Sequence, residues 1–130
     1  MLNLEPLAAQ SAARMVGDDP KKAENLITKA AAVLAEQGVY AFGLFLASRK
    51  GSESNQASDI HSGIRKILAD AGLKEDVQGS NAIAEYYSGI GKSRPDESEI
   101  DALRRLLLTK QLMEITLNYG RYHAKARGGA

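Results

Sequence analysis

The side chains that most often carry chemistry are few in this 130-residue chain, and their spacing does not suit catalysis. It contains no cysteine and two histidines, His61 and His123, neither of which has a metal-ligating neighbour at the usual spacing. There is no GxxxxGK[ST] phosphate loop, no dinucleotide fingerprint and no GxSxG nucleophile motif. We therefore predict no metal site, no cofactor and no enzymatic activity.

Acidic pairs and one tyrosine pair are the remaining candidates for a reactive site. Asp18-Asp19, Glu75-Asp76 and Asp96-Glu97 lie where loops meet predicted helices, and helix capping explains acids there. A carboxylate pair does acid–base work only when burial or mutual proximity drives its pKa values apart. Tyr86-Tyr87 is suited to stacking on bases, although such a pair more often closes the edge of a core.

Positive charge is concentrated in the C-terminal part of the chain. Residues 1–103 contain 11 Lys and Arg against 15 Asp and Glu, whereas residues 104–130 contain 6 Lys and Arg against one acid. The six cations are Arg104, Arg105, Lys110, Arg121, Lys125 and Arg127. This asymmetry indicates either a polyanionic or acidic partner near that end or a solvated, dipole-compensating helix end.

Apolar periodicity predicts an all-α protein, a single-domain bundle of about five to six helices over residues 1–130. The expected helices cover residues 2–16, 20–37, 58–71, 81–87 and 95–125, with Asn3, Asp18 or Asp19, and Ser58 or Asp59 as N-caps. Residues 39–47 form the most apolar stretch and fit a helix or a strand. We favour a buried helix, because no second strand is available for pairing. Residues 49–58, 74–80 and 88–94 are predicted loops.

The long last helix carries two apolar stripes. One contains Ile100, Leu103, Leu106, Leu107, Met113 and Leu117, and the other contains Leu108, Leu112, Ile115, Tyr119 and Tyr122. A helix of this kind either lies at the centre of its bundle, which we favour, or also packs on another chain. Between the stripes, Arg105, Thr109, Thr116, His123 and Arg127 are expected to form a polar ridge able to contact phosphate oxygens.

Composition indicates a small globular protein. Hydrophobic residues make up 44% of the chain and aromatic residues 5%, with no Trp, so the core must consist of Leu, Ile, Val and Ala. Residues 1–16 lack the basic start of a signal peptide, and no stretch approaches the roughly 18 apolar residues of a membrane span. Together with the absence of cysteine, these features predict a cytoplasmic protein without a membrane partner.

Three segments of the chain form a recognisable set: LAAQSAARMV, then NLITKAAAVLAEQGVYAFGLFLASRKG, and finally LRRLLLTKQLMEITLNYGRYHAKA. Together they resemble the Cmr small subunit, the small helical subunit of type III-B CRISPR RNA-targeting effector complexes. In the second, a helix meets Gly38 and continues into an apolar helix that ends in a basic turn. In the third, aromatic and basic residues alternate at the end. Val39 after that glycine, and Tyr122 in place of a tryptophan pattern, leave open a small subunit of another type III complex.

The resemblance implies a non-catalytic protein in a ribonucleoprotein that defends against viruses. Such subunits touch one another along a filament, contact the other effector subunits and lie along the guide and target RNA. By resemblance, the RNA-binding candidates are Arg104, Arg105, Arg121, Lys125 and Arg127, with Arg49 and Lys50 as a further basic turn. Since base pairing between guide and target RNA supplies the sequence specificity, such a subunit needs only suitable charge and shape to bind the RNA. The alternative is a helical protein-binding adaptor or regulator that binds no nucleic acid.

Overall fold

A computed structural model describes residues 5–74 and 83–128 of the chain, and within these ranges every regular element is a helix. The helices are α1 (Glu5–Ala13), α2 (Pro20–Gln37), α3 (Val39–Ala47), α4 (Ser52–Asp70), α5 (Ile83–Ile90) and α6 (Glu99–Gly128). The predicted all-α bundle with a long C-terminal helix is therefore confirmed. Among the described helices, none has the length and apolar character that crossing a membrane requires.

Helix α6 is the central support of the bundle, because α1, α2 and α4 all pack against it. Helix α3 joins α2 and α4 to the short α5. The largest fully buried side chains come from five of the helices and the α1–α2 turn: Met15, Leu26, Ile27, Leu34, Phe42, Leu46, Ile60, Ile64, Ile67, Leu68, Tyr87 and Met113. Aliphatic residues dominate this core, as the low aromatic content requires.

The boundaries of α2 follow from the signals in its sequence. The Asp19 carboxylate accepts a hydrogen bond from the backbone N–H of Lys22 at 3.2 Å, and Pro20 occupies the first turn. Gly38 ends the helix with φ of 99°. Because a side chain disfavours such a φ, glycine permits the sharp change of direction into α3. The prediction that residues 39–47 form a helix and not a strand is confirmed.

The predicted loop over residues 49–58 holds only for residues 49–51 and is wrong from Ser52 onward, where α4 begins. Ser58 and Asp59 therefore lie inside the helix and do not cap it. The first turns of α4 extend beyond the core, with Ser52, Ser54 and Asn55 exposed, so they carry no apolar stripe. Their helical conformation is propagated from the buried half of α4, because extending a helix costs much less than starting one.

Other boundaries differ by a few residues. Helix α5 continues to Ile90, into the predicted loop over 88–94, because Ile90 is buried. Helix α6 starts at Glu99 and not at Pro95, after a turn over residues 94–97. The proposed cap Asn3, the start of the first helix before Glu5, most of the 74–80 loop and residues 81–82 lie outside the described residues.

The core-facing side of α6 lies between the two predicted apolar stripes. Thr109 and Thr116 are buried, so the expected solvent-facing polar ridge is wrong. Each threonine hydroxyl donates a 2.7 Å hydrogen bond to the carbonyl four residues earlier, Arg105 and Leu112 respectively. With the hydroxyl satisfied inside its own helix, a threonine can face an apolar core at little cost.

Candidate nucleic-acid interface

The basic end of α6 lies beside the start of α2, because the two helices run antiparallel. Gly128 is close to Pro20, Lys125 lies beside Glu24, and the Lys110 ammonium approaches the Ala35 carbonyl at 3.5 Å. The N-terminal half of α2 therefore follows the C-terminal half of α6. Cations from two distant parts of the sequence are brought onto one edge of the bundle.

A surface groove of about 590 Å³ separates these two helix halves. We call it the α2–α6 groove, and it is lined by Glu24, Asn25, Thr28, Lys29, Arg121 and Lys125. Three of the six residues are cations, two are uncharged hydrogen-bonding residues and one is an acid. Cations mixed with amide and hydroxyl groups are the usual protein partners of phosphate and sugar oxygens.

Arg121 has the most specific geometry in the α2–α6 groove. The residue is half-buried, and its Nε is enclosed without a hydrogen-bond partner among the described residues. Its guanidinium carbon lies 6.0 Å from the centre of the Tyr122 ring. A guanidinium offers a planar fork of N–H donors, which suits the oxygens of a phosphate or carboxylate.

Lys125 and Lys29 provide more mobile charge at the rim. The Lys125 ammonium is 3.9 Å from the Glu24 carboxylate, and its side chain is 59% exposed. An exposed pair at this distance contributes about 0–1 kcal/mol. Lys125 can therefore exchange Glu24 for an external anion at little cost, while Lys29 is exposed on α2.

Sequence reasoning missed the contribution of α2 to this surface. Residues 1–103 carry a net negative charge. This average masks a local excess of cations in the first turns of α2, which contain Lys21, Lys22 and Lys29. The sequence feature that could have revealed this contribution is the polar side of α2, which carries the three lysines, Asn25 and a single acid, Glu24. Only the tertiary structure places Lys29 and Asn25 beside Arg121 and Lys125 of α6.

Arg105, a predicted RNA contact, is occupied inside the fold. Its guanidinium forms a two-bond ion pair with Glu97, with Nε–Oε2 at 2.9 Å and Nη2–Oε1 at 3.0 Å. It also donates to the carbonyls of Ile90 at 3.2 Å and Lys92 at 2.8 Å. The Arg105 and Glu97 side chains are only 10% and 12% exposed. Arg105 therefore ties the end of α5 and the following turn to α6, and we exclude it from the candidate interface.

The hydrogen bonds from the Arg105 guanidinium and from the Arg94 backbone N–H lower the pKa of Glu97 from 4.5 to about 2. Because the pKa of Glu97 is lower in the folded protein than in the unfolded chain, ionised Glu97 stabilises the fold, and this contribution is complete above about pH 5. That contribution is lost as the pH falls towards 2, because protonated Glu97 gives up the ionic part of the pair.

Replacing Glu97 by glutamine should therefore destabilise the protein at pH 7 and have almost no effect near pH 2. Urea unfolding at several pH values measures this difference directly. Glu99→Gln, a matched change at an exposed residue of the first turn of α6, serves as the control. A destabilisation by Glu97→Gln that stays constant from pH 7 to pH 2 would contradict the assigned ion pair.

The other predicted cations divide into two groups. Arg104 and Arg127 are exposed on α6. Arg49 lies at the end of α3, where it covers the Phe45 ring at 4.3 Å and donates a 3.1 Å hydrogen bond to the Phe45 carbonyl. Its neighbour Lys50 is exposed. The positive charge of Arg49 interacts favourably with the negative, C-terminal end of the α3 dipole. The basic turn therefore has a structural role of its own.

The tyrosine pair belongs to the core and offers no face to a base. Tyr86 and Tyr87 are buried, and their rings pack edge-on at 5.0 Å. The Phe42 ring meets Tyr87 at 5.2 Å, and His61 Nδ1 lies 2.9 Å from the Tyr87 hydroxyl oxygen. His61 is thus half-buried in the middle of α4, beside the tyrosine pair.

Within residues 5–74 and 83–128, no group of three or more potential metal-ligating side chains converges. Of the seven predicted RNA-binding cations, Arg121 and Lys125 line the α2–α6 groove, where Lys29 joins them. No family model, curated protein or solved structure matches this chain.

Proposed function

We propose that this chain is a non-catalytic small subunit of a type III, Cmr-type CRISPR ribonucleoprotein, and that it contacts the RNA backbone through the α2–α6 groove. Three sequence segments resemble that family, and the all-α fold with a long C-terminal helix agrees with the resemblance. The subunit acts in antiviral defence by binding RNA and the other effector subunits, without a cofactor.

The observation that carries the RNA-binding part of this proposal is the position of Arg121. Arg121 is half-buried and lines a groove together with two lysines and one acid. A phosphate oxygen would accept hydrogen bonds from the guanidinium and lie close to Lys29 and Lys125 at the rim. Such contacts neutralise phosphates without reading bases, as expected where the guide RNA supplies the sequence specificity.

The test is a charge reversal at the rim of the α2–α6 groove. Lys29→Glu combined with Lys125→Glu should weaken the binding of single-stranded RNA about 10- to 100-fold at moderate salt, measured by fluorescence anisotropy. The slope of log affinity against log salt should become shallower by about 0.7 for each phosphate that the variant no longer neutralises. Both lysines are exposed, so the fold should persist.

A matched control separates this groove from general charge. Arg14→Glu combined with Lys92→Glu makes the same change in net charge at exposed residues outside the groove. It should reduce affinity by less than about threefold. Equal reductions in the two double variants, or an affinity that Lys29→Glu and Lys125→Glu leave unchanged, would refute the groove as the RNA contact.

A second function, a protein-binding adaptor without nucleic-acid binding, is favoured by a different surface. Helix α6 exposes several large apolar residues on the side away from the core. Folded monomers rarely leave a large apolar patch open unless it binds a partner. Absence of RNA binding at any salt concentration, together with tight association with a protein, would favour this alternative.

A further inference from the structure

A second depression in the surface lies near the start of α6, and neither the fold nor the α2–α6 groove gives it a role. It has a volume of about 850 Å³ and is formed by the ends of α4 and α5, the turn after each, and one residue of α6. We call it the α4–α5 pocket. Within the described chain no acid lines it, and its basic residues are Lys74, Lys92, Arg94 and Arg105. Its size is typical of sites for small organic ligands.

The fold uses part of this positive charge. Arg105 is paired with Glu97 and donates hydrogen bonds to two carbonyls at and just after the end of α5. Arg94 Nη2 donates a 2.7 Å hydrogen bond to the Leu73 carbonyl, which ties the side chain of Arg94 across the pocket. A guanidinium carries five N–H donors, so this bond leaves others for a ligand.

The two lysines keep their charge available. The Lys74 ammonium lies 4.8 Å from the centre of the Tyr86 ring, a contact that leaves N–H donors for an oxygen acceptor. The end of α4 does not depend on this ammonium, because the Leu68 carbonyl already accepts backbone hydrogen bonds from Leu73 at 2.9 Å and Lys74 at 3.2 Å. Lys92 is exposed in the turn after α5.

We propose that the α4–α5 pocket binds a nucleoside diphosphate, a function that goes beyond the proposed contact with RNA. Lys74, Lys92 and Arg94 together match the roughly three negative charges of a diphosphate. Ammonium and guanidinium groups form short, strong hydrogen bonds to phosphate oxygens. With no acid in the lining, nothing there repels the phosphates.

The rest of the lining suits a nucleoside better than a bare phosphate. Leu73, Ile90 and Pro95 provide apolar walls, and Ser93 provides a hydroxyl group. Small-molecule sites combine apolar walls with a few polar groups that fix the orientation of the ligand. An inorganic phosphate would leave most of these walls uncovered, whereas a base and ribose would cover them.

The α4–α5 pocket and the α2–α6 groove are separate sites. Arg105 of the pocket and Arg121 of the groove are about 24 Å apart along α6, which rises about 1.5 Å per residue. A nucleotide in the pocket therefore does not reach the groove, and either function can fail without the other.

The first experiment titrates the full chain with ADP, GDP, CDP and UDP by isothermal titration calorimetry. At least one of the four should bind with a dissociation constant below about 1 mM. Pyrophosphate should bind at least about 10-fold more weakly than that nucleotide, because it leaves the apolar walls uncovered. Absence of binding by all four nucleotides at about 5 mM, or equal affinity for pyrophosphate, would overturn the proposal.

The second experiment locates the site with the nucleotide that binds best. Arg94→Gln should weaken its binding about 10-fold or more, since a charge-assisted hydrogen bond to phosphate is lost. Lys74→Gln should weaken it similarly, and this variant leaves the bond between Arg94 and the Leu73 carbonyl in place. Arg14→Gln, the same change of charge at an exposed residue after α1, should alter the affinity by less than about twofold. Unchanged affinity in both pocket variants, or an equal loss in all three, would overturn the proposal.

The third experiment separates this site from RNA binding. An excess of single-stranded RNA should not displace the bound nucleotide, and Arg94→Gln should leave the affinity for RNA unchanged. Displacement of the nucleotide by RNA would make the pocket part of an RNA surface and overturn its assignment as a nucleotide site. Loss of RNA binding in the groove variants with nucleotide binding intact is the result expected of two independent sites.

Discussion

Replacing Gly63 by valine is expected to destabilise the fold by about 3 kcal/mol or more, because α4 meets α1 at this glycine. A Cβ added there would lie 2.7 Å from Met15 Cγ and 2.8 Å from the Ser11 carbonyl oxygen. Met15 is fully buried, and the Ser11 oxygen belongs to the α1 backbone. Neither can move without separating the helices. The expected destabilisation is a large part of the roughly 5–15 kcal/mol that stabilises a typical domain.

Chemical and thermal unfolding of the Gly63→Val variant measure this effect. Gly91→Val provides the matched control, since an added Cβ at Gly91 has no neighbour within 4 Å and its φ is not in the left-handed region. The control should change the free energy of unfolding by less than about 0.5 kcal/mol. If the two variants are equally stable, α1 does not pack on α4 as described.

Replacing Phe42 by alanine should cost about 3–5 kcal/mol, the range measured when a large buried aromatic is truncated. The Phe42 side chain is fully buried and packs edge-on against Tyr87. It therefore joins α3 to α5, which is too short to be stable alone. A cavity at this position weakens the packing of both helices at once. We expect a midpoint of thermal unfolding roughly 10–20 °C lower.

Leu44→Ala separates this effect from a general weakening of α3. Leu44 lies on the same helix two residues later and is 45% exposed. Its truncation should cost less than about 1 kcal/mol, because much of the side chain gains no burial on folding. Equal costs at Phe42 and Leu44 would show that α3 does not bury the side assigned to it.

Sequence patterns predicted the helices wherever a helix carries a complete signal. Helix α2 has a capping aspartate, a proline in its first turn and a terminating glycine, and its predicted bounds are those observed. The first turns of α4 lack such signals, since they hold no buried apolar stripe. That segment is helical because it continues a packed helix, which a short-range pattern does not report.

The candidate interface could be predicted only in part. The excess of cations near the C-terminus follows directly from the charges in the sequence, and Arg121 and Lys125 belong to that excess. Arg105 belongs to it as well, yet its position next to Glu97 makes it part of a structural ion pair. Whether a cation stabilises the fold or faces a partner depends on what the tertiary structure places beside it.

The sequence by itself determined the helical class, the aliphatic core and the C-terminal bias in charge, because residue type and short-range spacing control local backbone preference and hydrophobic periodicity. Only the tertiary structure decided which side of α6 faces inward and which lysines of α2 join its basic end. These features depend on how separate helices align. That alignment is set by contacts between residues far apart in the chain, such as those between Gly128 and Pro20.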